Sequence, residues 1–368
     1  MPSTLALIRT MFTDPAQRSV AIAVWMTTFT AGVAIGPLIG GILLEAFWWG
    51  SVFLLAVPVM ALVLLLGPWL LPEHRPREAG RLDPVSVLLS LLTIVPVIYG
   101  FKEIAHRGPG LVPLVALGAG AVIGIVFVRR QRCLADPLVD VRLFNNRTFS
   151  TALVLLLMGL LVTNGVFYLV PQFLQGVAGL SPLRTGMGLT VVAVASAGVS
   201  LLAPLVARRW GPARTIAAGA VLSVAGFALF TVLDGSSVLA AVLATALVSA
   251  GLSPMGVLTT DLVVGSAPPE RTGAAAALSE TSGELGVGLG VAVMGTIVTA
   301  IYQAQMSGAP ASAGETLAGA LAEQHPAGVL EAAQQAFTSG INVVGIIGAV
   351  VLAGLGLVAI TLLRPDNG

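Results

Sequence analysis

At 368 residues, 56% of them hydrophobic and only 10% charged, the chain is too apolar to face water on all sides, since a soluble domain carries roughly 25% charged residues. A net charge of +1 without long charge runs leaves no footprint for nucleic acid. His74, His106 and His325 lie in different loops, and neither a phosphate-cradling glycine loop nor a cluster of metal ligands is present, so nothing signals enzyme chemistry.

The solvent is therefore lipid, where backbone groups must pair within helices or a closed barrel. Continuous apolar runs such as Phe53–Leu71, without the alternation of a barrel strand, select helices. In chain order the apolar windows predict about ten spans, near 19–47, 51–71, 85–104, 111–128, 149–174, 184–207, 214–233, 238–263, 273–303 and 338–363. Glu45 and Trp48-Trp49 end the first span at an interface, where tryptophans serve as belt anchors. Two breaks are longer than a turn. Pro72–Pro84 carries the charged run Glu73–Glu78. Arg129–Thr148 contains an elbow, Asp136 to Phe144, that alternates apolar and charged residues as an interfacial segment does. Cys133 sits among arginines there and reads as a plain reduced thiol. A segment at 305–339 lacks Lys and Arg and is expected to be an external loop with a short amphipathic hairpin or helix. Of the 18 Lys and Arg residues, only Lys102, Arg107 and Arg184 fall on one side of this layout. That bias predicts a multi-pass protein with both termini cytoplasmic.

Gly32, Gly36 and Gly40 share one face of the first span, a spacing that lets a second backbone approach closely. Pro37 frees a carbonyl and permits a kink. The fuller run Gly36-Pro37-Leu38-Ile39-Gly40-Gly41 is more specific than a packing face. It resembles the fifth-helix signature of drug:proton antiporters of the major facilitator superfamily. Met1 to Ile8 resembles the end of the fourth helix in the fourteen-helix branch of that family. Asp136-Pro137-Leu138 through Arg142-Leu143-Phe144 resembles the loop before the ninth helix, and Leu180 to Gly186 the connection from the ninth to the tenth. Ala207-Arg208-Arg209-Trp210-Gly211-Pro212 resembles the second-half repeat of a cytoplasmic loop motif. The resemblance covers nearly the whole chain and points in particular to exporters of quaternary ammonium compounds.

The resemblance implies an all-α integral membrane fold truncated at its N-terminus, because the first-helix acidic motif, the charged loop between helices two and three and the fourth-helix arginine motif have no counterpart here. Residues 1–72 then hold the last two helices of an amino-terminal bundle, 83–131 an extra helix pair, 132–148 a cytoplasmic elbow and 149–364 a complete six-helix carboxy-terminal bundle. The implied activity is proton-coupled efflux of hydrophobic cations or other amphipathic drugs across a bacterial cytoplasmic membrane, driven by a proton gradient with no cofactor. The alternatives are export of a self-made antibiotic, lipid or other metabolite, or a fragment that transports nothing.

The ninth span places Glu280 and Glu284 one turn apart, about 6 Å along the axis, and about 12 and 18 Å into a hydrocarbon core roughly 30 Å thick. A charged carboxylate at that depth needs a wet cavity or a cation, and otherwise keeps its proton. Exchange of protons for a cationic cargo is one reading; pairing with polar groups of a neighbouring helix is the other. Asp261, near the cytoplasmic end of the eighth span, reads either as a coupling residue, as a solvated interfacial group or as a partner of Arg271. Asn164, Tyr168, Gln172 and Gln175 recur at helical spacing and either line a cavity, with an aromatic face for cation–π contact, or bond between helices. Arg208, Arg209 and Arg271 are candidate cytoplasmic gate residues, with topology as the plainer explanation.

Overall fold

A computed structural model describes residues 7–8, 11–12, 14–70, 83–107, 110–134, 137–235, 237–268, 271–323 and 325–363. The charged run 73–78, Asp136 and most of the segment 1–8 lie outside them. The described helices are α1 (Pro15–Ala46), α2 (Ser51–Leu54), α3 (Ala56–Leu70), α4 (Pro84–Arg107), α5 (Leu111–Cys133), α6 (Arg147–Gln172), α7 (Pro182–Trp210), α8 (Pro212–Phe230), α9 (Val238–Gly265), α10 (Thr272–Gln305), α11 (Ala311–Glu315), α12 (Leu317–Ala322) and α13 (Ala327–Leu362). Nine helical segments among the described residues, with Ser51–Trp69 counted as one, are long and apolar enough to cross a membrane. That is one fewer than expected: the apolar part of α4, Pro84–Gly100, is shorter than the other nine and sits at the low end of the roughly 17–25 residues a span requires.

The helix ends follow from local chemistry. Asn146 caps α6 by accepting from the Thr148 and Phe149 amides, as an asparagine at that position should. Ser181 caps α7, with Pro182 in the first turn where its missing N–H costs nothing. Gly211, at φ +82°, makes the sharp joint between α7 and α8. Beyond Pro171 the end of α6 widens into a π turn, Phe173–Val177, in which the Ala178 amide donates to the Phe173 carbonyl.

Helices α6, α8, α9, α10 and α13 share one core in which Phe173, Phe227, Met255, Tyr302 and Leu352 are fully buried. Glycines set its closest seams. A Cβ on Gly219 would stand 2.3 Å from the Gly251 carbonyl oxygen, and the Ser223 hydroxyl beside it donates to the Val248 carbonyl at 2.9 Å. The helix pair α4–α5 packs on itself and, through α4, on α10. Its elbow end is polar and tied down. Asp83 pairs with Arg130 at 2.8 Å, and the buried Gln131 donates to the Ser86 hydroxyl and accepts from the Val139 amide. The elbow runs on through a short 3-10 helix, Val141–Asn145, and is fastened to the start of α10 by an Asp140–Arg271 ion pair and to the end of α9 by an Asn146 amide on the Ser266 carbonyl.

The last span differs from expectation. It begins at Ala327 rather than near 338, because Ala333, Ala336 and Phe337 give its polar first turns a buried stripe at helical spacing. The loop expected at 305–339 shrinks to α11 and α12, which fold onto the bundle with Leu317 and Ala320 buried and the Tyr302 hydroxyl donating to the Ala313 carbonyl at 2.7 Å.

Candidate functional site

Helix α10 carries both Glu280 and Glu284. Its buried face, Ala275, Ser279, Ser282, Gly286 and Gly290, includes the seam with α6. A Cβ at Gly286 would lie 2.6 Å from the Leu157 carbonyl oxygen, and one at Gly290 2.2 Å from that of Leu161. Side chains there would force the helices apart, so glycine fixes the register of α10 on α6. At 100° per residue Glu280 and Glu284 project roughly 110° and 150° away from the middle of that seam. Glu280 is half-buried and Glu284 exposed.

One turn beyond Glu284, a Cβ on Gly288 would meet nothing within 4 Å. On the same face, three turns from Glu284, a Cβ on Gly295 would touch the Tyr168 ring at 3.0 Å. An open stripe therefore runs about 16 Å along α10 from the carboxylates to an aromatic ring. Charge attraction at one end and a ring face at the other are what a flat organic cation can use. Of the other cavity candidates, Asn164 and Gln172 donate their amides to Leu160 and Tyr168 carbonyls of their own helix, each at 2.9 Å, not across to a neighbour. Gln175 is exposed in the π turn.

The remaining candidates do not converge on the stripe. Asp261 is exposed near the end of α9, and Arg271 is committed to Asp140 instead of to Asp261. Arg208 and Arg209 are exposed in the last turn of α7. On α1, Gly32, Gly36 and Gly40 have no neighbour within 4 Å of a built Cβ among the described residues, so the face expected to carry the helix contact is open there. The contact is made one residue on: Gly41 would meet the Pro182 carbonyl oxygen at 2.7 Å, and Gly186 of α7 would meet that of Pro37 at 2.3 Å. Pro37, Gly41 and Glu45 are spaced by four and share the face that meets α7. Glu45 completes it by accepting from the Leu183 amide at 3.1 Å, an unpaired donor of the first turn of α7.

The family profile of the Major Facilitator Superfamily matches residues 1–291. The multidrug efflux pump LfrA of Mycolicibacterium smegmatis is 38% identical over 99% of this chain and 75% of its own length. The chain belongs to the major facilitator superfamily. Further facilitator relatives include the methyl viologen resistance protein SmvA of Salmonella typhimurium, 32% identical over 92% of this chain and 71% of its own length. The tetracenomycin C resistance and export protein of Streptomyces glaucescens is 31% identical over 81% and 56%. As a facilitator the chain is a multi-pass membrane transporter and not an enzyme, in keeping with its apolar helices.

Sequence reasoning missed two polar contacts of this facilitator, Glu45 on α7 and Asp140 on Arg271. Glu45 carried a signal, its spacing of four from Gly41. Asp140 and Arg271 are 131 residues apart, and neither residue announces the other.

Proposed function

We propose that this facilitator exports hydrophobic organic cations in exchange for protons, with Glu280 and Glu284 as the groups that alternate between cargo and proton. The observation that carries the reading is the placement of both carboxylates off the α6 seam of an apolar helix, on the stripe that ends at Tyr168. Ionisable groups at that depth are expensive and serve pathways of ions and substrates. Unprotonated, the pair attracts a lipophilic cation; protonated from the opposite side, it releases it. The names of LfrA and SmvA, a multidrug pump and a methyl viologen resistance protein, support a cationic drug as cargo.

The arginine bias supports an orientation with the elbow and both termini in the cytoplasm of a bacterial cell. Asp261, Arg208 and Arg209 then sit at the cytoplasmic mouth, and the Gly41–Gly186 crossing lies at the outer end.

The test is efflux of ethidium from cells expressing the chain, with and without a protonophore, compared with Glu280→Gln, Glu284→Gln and the double variant. Loss of protonophore-sensitive efflux in the double variant is expected, and unchanged efflux rejects the assignment. The tetracenomycin C resistance and export protein and the puromycin resistance protein among the relatives favour a second cargo class, antibiotics other than permanent cations. Competition of ethidium efflux by methyl viologen but not by tetracenomycin C separates the two.

A further inference from the structure

A hollow of about 310 Å³ opens beneath the elbow, between the end of α5 and the start of α10. Gln131, Leu134, Asp140, Arg142 and Arg271 are among its lining residues. We propose that it binds the phosphate headgroup of an anionic membrane lipid.

Among the described residues the lining carries two guanidiniums against one carboxylate. That carboxylate is spent on the protein itself, with one Asp140 oxygen on Arg271 and the other accepting from the Arg142 amide. Gln131 is spent as well, since its nitrogen holds Ser86 and its oxygen the Val139 amide. The Arg142 guanidinium remains, exposed and without an ion pair or hydrogen bond among the described residues. A guanidinium fork matches two phosphate oxygens at once and is less strongly hydrated than an ammonium, so it suits this task.

The surroundings select a lipid over a free ion. The elbow joins α5 to α6, both long and apolar enough to span, so it falls at the level of the headgroups when those helices cross a bilayer. Leu138 and Phe144 lie on the same elbow and are each 43% exposed, as the apolar side of an interfacial segment is. Phe144 is held edge-on against Phe149, with ring centroids 5.6 Å apart. Acyl chains can lie on these two residues while the headgroup reaches Arg142, and inorganic phosphate has no use for them. Arg129, Arg132 and Arg147 lie near the same ends of α5 and α6 and add to the attraction of an anionic surface.

The test places the 368-residue chain in nanodiscs of mixed phosphatidylglycerol and phosphatidylcholine and reads the lipid retained after extraction by native mass spectrometry. Wild-type protein is expected to retain phosphatidylglycerol preferentially. Arg142→Gln should weaken that preference by about tenfold, the cost of losing hydrogen bonds to a charged group, and Arg142→Lys should restore part of it. Leu138→Ser should lower retention of either lipid, and inorganic phosphate should not compete. An unchanged preference in Arg142→Gln overturns the proposal. So does an equal loss in Arg132→Gln, whose side chain lies outside the hollow, because the attraction is then a diffuse basic surface. Full competition by inorganic phosphate marks an anion site and overturns the lipid assignment. None of these readings depends on transport.

Discussion

Between α6 and α13 the apolar middle of several spans is more than half buried, 56% of an 18-residue stretch within each of Arg147–Val177, Pro212–Phe230 and Val238–Gly265, whereas the corresponding stretch of Thr27–Ala46 is 6% buried and that of Ser51–Trp69 not at all. Hydropathy does not separate the two regions, since Ser51–Trp69 averages 2.4 and Arg147–Val177 2.3. What separates them is the placement of small residues. In lipid an apolar side chain gains little by exchanging an acyl chain for a neighbouring helix, and association comes from close backbone approach. Gly219, Gly226, Gly251, Gly286 and Gly290 allow that approach in the carboxy-terminal region. In α3 the run Leu62-Val63-Leu64-Leu65-Leu66 does not, and α3 makes no substantial contact beyond α2 among the described residues.

The sharpest way to break this comparison is to add one methyl group in each region. Gly219→Ala places a carbon 2.3 Å from a backbone oxygen and should cost about 1–3 kcal/mol, as overpacking does. Gly36→Ala meets nothing within 4 Å and should leave stability unchanged or raise it by up to about 1 kcal/mol, because alanine is the better helix former. Thermal midpoints of the two variants in the same detergent check this. Equal losses would mean that the open face of α1 is covered by a helix in the membrane.

A smaller effect is expected where the regions meet. Glu45 completes the first-turn bonding of α7 from another helix, beside the Ser181 cap. Glu45→Ala should loosen the α1–α7 crossing by about 1 kcal/mol, the size of a lost cap, and Glu45→Gln, which keeps an acceptor at the same reach, should largely preserve it. Spin labels at Phe47→Cys and Met187→Cys, in a Cys133→Ser background, report the change as a longer and broader distance distribution. Identical distributions in all three proteins would leave the crossing to Gly41 and Gly186 alone.

Much of this was legible because membrane length and period are written locally. The spans, the elbow and the one-turn spacing of Glu280 and Glu284 all follow from counting along one helix. Contacts between helices were not. Three glycines at 32, 36 and 40 look like the stronger seam, but the crossing with α7 selects the face 100° away, where Gly41 and Glu45 lie. The start of α13 was hidden by Glu331, Gln334 and Gln335, which read as a polar loop, although Val329, Ala333, Ala336 and Gly340 keep helical period through it. The partner of Arg271 depended on where the elbow folds back, and no spacing in the chain encodes that.

The smallest effect belongs to the elbow end of α4–α5. The Ser86 hydroxyl holds the Asp83 carboxyl below its ordinary range, joined by the Arg130 guanidinium and the Val85 amide and opposed by desolvation. A carboxyl depressed by folding stabilises the folded state above its unfolded value of about 3.9 and loses that contribution as pH falls through the folded one. Asp83→Asn should therefore exchange amide hydrogens over residues 85–90 faster than wild type at pH 7, and the ratio of the two rates should fall toward one as the pH is lowered below the ordinary carboxylate range. A ratio of one already at pH 7 would show that glycine packing of α4 on α5, where Gly120 backs on Thr93 and Val97, holds the pair closed without the ion pair.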